Sequence, residues 1–141
     1  REVATVLLTT PRFCQLSGGG YDAFADTLNS ALDQLDFARE IQLVFFHPDF
    51  TFRDGKQRIG DSEEAAGNFA RRSPYPMINL LRTPQVRAAQ KGIPTGSVYE
   101  LNEKNLHSVG VAQLQAMLNA RQWGGISDMA FQKHNSDTWN L

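Results

Sequence analysis

Two short runs of β-branched and apolar residues, Val3–Thr9 and Ile41–Phe46, stand on either side of a stretch with helical periodicity. That succession constrains the fold more than any other feature of the chain. A short run that is apolar on both faces reads as a buried strand. Between the runs, Tyr21, Phe24, Leu28, Ala31, Leu32 and Leu35 recur at helical spacing, while Asp22, Asp26, Asn29 and Asp33 lie mostly off that stripe. The spacing predicts a helix over Tyr21–Phe37, long enough to cross a sheet. Strand, helix, strand in this order implies a right-handed parallel βαβ unit. It is equally compatible with the split form, in which another strand lies between the two.

Further along, the signals are shorter. Ser17-Gly18-Gly19-Gly20 reads as a flexible turn, with a weaker alternative in which its backbone N–H groups face an anion. Asp61 or Ser62 can cap a short helix running to Phe69. Met77–Leu81 is too short for its period to separate helix from strand. Thr83-Pro84 then looks like an N-cap followed by proline at the first helical position, which favours a strand before it and a helix over Gln85–Lys91. Ser97–Leu101 reads as a short edge strand. Asn102 caps a last helical stretch that breaks near Gly110 and ends by Trp123-Gly124-Gly125. The expected architecture is α/β, with a three- to four-stranded sheet, a βαβ unit and helices packed on it. A single domain is expected over residues 1–125, with a polar tail over 126–141.

Composition excludes several function classes. The net charge of the 141 residues is −1, and no long basic run exists. Lys56, Arg58, Arg71 and Arg72 make a small patch, with Glu63 and Glu64 between its halves, so a large nucleic-acid footprint is not expected. No apolar stretch approaches ~20 residues, so no transmembrane helix is expected. One cysteine, Cys14, forbids an intramolecular disulfide. His47, His107 and His134 are widely spaced, and no metal or cofactor is expected. The chain begins with Arg1 rather than Met, as a processed or trimmed form would.

Polar residues that can carry chemistry concentrate in two segments, Phe46-His47-Pro48-Asp49 and Arg72-Ser73-Pro74-Tyr75-Pro76. His47 directly follows a strand, where α/β sheets place ligand-binding groups. One reading makes it a general acid or base with Asp49 orienting the ring or acting itself. The other has both residues hydrogen-bond the loop that leaves the strand. In the second segment each proline fixes φ and extends its predecessor, which aims Arg72, Ser73 and Tyr75. Arg72 on such a rigid loop suits a carboxylate or phosphate, or else pairs with a local acid. Asn68 can contribute to the same site. Ser73 is a nucleophile candidate without the Gly-x-Ser-x-Gly elbow.

These segments resemble an uncharacterised family of bacterial and plastid-lineage proteins, domain of unknown function 1415. The resemblance is carried by Phe46-His47-Pro48-Asp49-Phe50 with Phe52, by Asn68-Phe69, by Arg72-Ser73-Pro74-Tyr75-Pro76-Met77, and by Leu80-Leu81-Arg82. It extends weakly through Ile93-Pro94 and spans about Val3–Ala120. The chain departs from the family pattern at Arg71 (commonly asparagine), at Asn79 (commonly histidine) and at Thr83 (commonly an acid). It also has no counterpart of an N-terminal helical region with a Cys-Pro-Phe segment. The resemblance implies a shared fold and a shared site, and no established reaction.

Two functions are therefore carried forward. The first is a non-catalytic accessory or assembly subunit that binds other proteins, chiefly through the 126–141 tail. The plastid-lineage resemblance implies an organellar complex in a plastid, a photosynthetic one being an example; otherwise the location is the cytoplasm. The second is a small enzyme or anion-binding domain using a pocket of His47, Asp49, Arg72, Ser73 and Tyr75.

Overall fold

The middle of the sheet is the strand that the period alone left ambiguous. In the computed structural model, which describes residues 5–53, 59, 65–94 and 96–124, β3 (Met77–Arg82) lies between β1 (Thr5–Thr9) and β2 (Ile41–Phe46). Both pairings are antiparallel, with Leu8 opposite Ile78 and Phe46 opposite Met77. β1 and β2 thus run in the same direction with β3 between them, which is the split form of the βαβ unit. The fold is α/β; the described residues form a three-stranded sheet and four α-helices.

The described contacts divide the chain into two compact units. The first takes in Arg1–Asp49 and Tyr75–Lys91, the second Phe50–Pro74 and Gly92–Leu141.

In the first unit, α1 (Gly18–Gln34) packs Tyr21 and Ala25 on Phe45 and Ile78, with Phe24, Leu28, Leu43 and Leu80 at the margin. The stripe read from the sequence supplies this face, but Leu35 at its end is exposed. The Ser-Gly-Gly-Gly segment is not a free turn. Ser17 is the N-cap, its Oγ accepts the Gly20 N–H at 3.2 Å, and the three glycines form the first turn of the helix. A capping hydroxyl offsets the conformational entropy that glycine loses on entering a helix.

The expectation that Val3–Thr9 is buried does not hold for its described part. All five residues of β1 are exposed. The helix lies over β2 and β3, so the strand on the far side of β3 projects beyond its cover. Thr83 also departs from its expected role. Its N–H donates to Glu40 O at 3.0 Å and its Oγ1 to Ala38 O at 3.0 Å. It therefore ties α2 (Thr83–Ala89) to the short 3-10 turn Phe37–Arg39 instead of capping the helix. Pro84 still occupies the first turn, where its missing N–H costs nothing.

The second unit is built on a 3-10 turn, Ala66–Ala70, where a longer helix was expected; its upstream start, residues 61–64, lies outside the described residues. Ala66 and Phe69 pack against Val109 of α3 (Ser97–Val109) and against Leu114 and Leu118 of α4 (Val111–Ala120). Gly67 faces the side chain of Glu103, and a Cβ there would stand 3.4 Å from Glu103 Cγ, an ordinary contact. Ser97–Leu101 is helix, not the edge strand its Val98 and Tyr99 favoured. Glu100 suits the positive end of the helix dipole, and burial of Leu106 and Val109 downstream fixes the whole segment as helix. The break at Gly110 is observed; its φ of 89° lies in a region that side chains disfavour.

No helix among the described residues is long and apolar enough to cross a membrane. The tail over 126–141, assigned a partner-binding role from sequence, lies outside the described residues.

Candidate functional site

β2 delivers His47 at its carboxyl end, where β3 begins. The side chain is 2% exposed. Its ring packs at 5.1 Å from that of Tyr21, tilted 34°. Nδ1 accepts the backbone N–H of Asp49 at 3.0 Å, and Nε2 lies 2.8 Å from the carbonyl oxygen of Cys14. A nitrogen facing an N–H must accept, and one facing a carbonyl must donate. The network therefore assigns the neutral ring with its proton on Nε2. Asp49 reaches the imidazole through its backbone, while the residue itself is exposed. General acid–base chemistry needs a ring nitrogen within reach of a substrate. Both nitrogens of His47 are taken up by main chain.

Cys14 is the second anchor of this arrangement. It adopts a positive φ of 52°, and its carbonyl oxygen accepts from both Ser17 N–H, at 3.1 Å, and His47. The end of β2 and the start of α1 are thereby pinned to one atom. Tyr21 completes the cluster. Fully buried, it donates its hydroxyl to Met77 O at 2.6 Å. Burial is the main cause that pushes its phenol up from 10.0 to about 12, with Cys14 adding to the rise and the Met77 bond opposing it. The sequence placed Tyr21 on the apolar stripe; its hydroxyl bond depends on the tertiary position of β3.

Tyr75 and Pro76 lead into β3. The carbonyl of Pro76 accepts both the N–H and the hydroxyl of Thr10, at 2.9 and 3.0 Å, which joins this proline to the end of β1. No cis peptide occurs among the described residues.

Arg72, Ser73 and Asn68 belong to the second unit. Asn68 is completely buried, and its Oδ1 accepts the N–H of Phe52 at 3.2 Å. Arg72 donates Nε–H to Phe50 O at 3.2 Å and lies 4.6 Å from the centroid of Phe69. Ser73 is buried. These contacts hold the segment Phe50–Phe52 against the 3-10 turn.

Arg71 was noted in the sequence as part of a small basic patch and as a departure from a family pattern, not as a site residue. Its guanidinium lies 5.4 Å from the Phe50 centroid and 5.5 Å from that of Phe52, and Nη2 donates to the Tyr99 hydroxyl at 3.3 Å. The alternation Phe50-x-Phe52 was the available signal, because it puts two rings on one side of an extended segment. Tyr99, 28 positions after Arg71, gave no such hint.

His107 is exposed on α3, and His134 lies outside the described residues. Among the described residues no group of three or more His, Cys, Asp or Glu side chains is placed to hold a metal ion.

Residues 1–116 match a family model described as "Protein of unknown function (DUF1415)". No curated protein and no solved structure matches the chain. The chain belongs to this family.

Proposed function

We propose that this family member is a non-catalytic, protein-binding subunit of a larger complex, and that a strand of the partner adds to the free edge of β1. One observation carries the reading. Among the described residues β1 pairs only with β3, and its Val6, Leu7 and Leu8 are 52%, 56% and 49% exposed. An apolar edge strand is a template for another strand, and proteins that leave one open without charge or proline risk indiscriminate association. Occupation by a partner removes that risk. The engagement of both His47 nitrogens by main chain supports a structural role for that residue.

The family resemblance supports a plastid complex as the setting. Residues 126–141, with Met129, Phe131 and Trp139, are the second proposed contact.

The test is quantitative recovery of the tagged full chain from its native source. Recovery with a partner in fixed stoichiometry, lost on Leu7→Lys with Val6→Lys, is the expected result. Deletion of residues 126–141 measures the tail's share separately. A chain recovered alone, or one whose partner tolerates both lysines, overturns the edge-strand reading.

A further inference from the structure

We propose that Arg71 and Tyr99 form a binding site for a carboxylate, carried either by a small organic acid or by a polypeptide terminus. The site goes beyond the edge-strand reading and uses none of its residues.

The argument starts from how the guanidinium is held. Phe50 and Phe52 stand edge to face, 5.1 Å apart, and Arg71 lies over both rings. Phe52 in turn meets the Tyr99 ring edge on at 6.3 Å. Aromatic faces attract the cation and strip water from one side of it, but they carry no net charge and accept no strong hydrogen bond. Of the five guanidinium N–H groups, one donates to Tyr99. Among the described residues no carboxylate forms an ion pair with Arg71; the Arg39–Asp36 pair is on another element. The positive charge is oriented and partly desolvated, and its charge is not neutralised by those residues.

Tyr99 supplies the complementary donor. Its oxygen accepts from Arg71, so its own O–H remains to donate, and the residue is 49% exposed. A guanidinium edge beside a phenol O–H presents donors to both oxygens of one carboxylate, the fork geometry for which arginine is suited. Arg72 does not duplicate the function, since its Nε is turned to Phe50 O and its guanidinium to Phe69. One guanidinium and one neutral donor match a single negative charge better than a phosphate dianion. The ring walls favour an apolar or aryl body behind the carboxylate.

The experiment is titration of the full chain, followed by NMR or calorimetry at matched ionic strength. The probes are benzoate, acetate, inorganic phosphate, and a short phenylalanine-ended peptide with a free or an amidated terminus. Saturable binding of benzoate or of the free-acid peptide, tighter than phosphate, is expected. Benzoate alone saturating assigns a small acid; the free-acid peptide binding more tightly than benzoate assigns a chain terminus. Amidation should abolish the peptide's binding. Arg71→Lys keeps the charge but loses the fork, and should weaken binding about tenfold or more. Tyr99→Phe should weaken it by about threefold to tenfold, with the unfolding midpoint of the free protein unchanged. If Arg71→Lys does not fold, Tyr99→Phe decides, because it removes only a hydroxyl from a half-exposed ring. The proposal is overturned if no carboxylate saturates, if phosphate binds more tightly, or if the variants bind like the parent.

Discussion

The Nε2 atom of His47 lies 2.8 Å from the carbonyl oxygen of Cys14, a residue thirty-three positions earlier in the chain. The bond joins the exit of β2 to the turn that starts α1. With Nδ1 accepting from Asp49 N–H at 3.0 Å, the ring is a fixed strut between two backbone segments.

One expected outcome is spectroscopic. Nitrogen-detected NMR should show the neutral ring of His47 as the Nε2–H tautomer. Replacing it by alanine removes a buried ring and leaves main-chain groups without it. Denaturant unfolding should then show a loss of about 2–4 kcal/mol. A ring found as the Nδ1–H tautomer would contradict the hydrogen-bond assignment.

A second concerns alkaline pH. The phenol of Tyr21 is raised from 10.0 in the unfolded chain to about 12 in the folded one. A raised phenol favours the folded state while it is neutral. Its contribution is therefore complete below pH 10 and is lost as pH rises from about 10 through about 12. Tyr21→Phe should cost about 1 kcal/mol at neutral pH through loss of the bond to Met77. It should also flatten the decline between these two pH values, measured by urea unfolding at closely spaced pH. An equally steep decline in the variant would assign it to other groups.

A third separates neighbouring glycines of one helical turn. A Cβ on Gly19 meets nothing within 4 Å, whereas one on Gly20 would stand 2.8 Å from Ser17 Oγ. Gly19→Ala should stabilise by about 0.5–1 kcal/mol, because the unfolded chain loses freedom it no longer has to give up. Gly20→Ala should destabilise by displacing the cap, approaching the ~1 kcal/mol expected for Ser17→Ala. Thermal melts of the three variants compare them directly; the reverse order for the two glycines would place the cap elsewhere.

Local pattern was enough for α1, β2 and β3. Tyr21, Phe24 and Leu28 repeat at helical spacing, and Pro84 marks a helix start that sets the end of β3. Local pattern failed where burial depends on a distant neighbour. Val6 and Leu8 look like core residues, yet their cover is decided by which strands α1 crosses. Val98 and Tyr99 look like strand, yet Leu106 and Val109 commit the segment to helix by packing on Ala66 and Phe69.

The two segments Phe46–Asp49 and Arg72–Pro76 were legible as places where polar residues meet buried strands, and as a family pattern. Their geometry was not. That His47 has both nitrogens on main chain depends on Cys14, and that Arg71 rests on two rings beside a phenol depends on Tyr99. Periodicity, caps and proline act within a few residues and can be read from order alone. The partners of a side chain from across the fold are set only when the chain closes on itself, because hydrogen bonding and burial depend on distance in space.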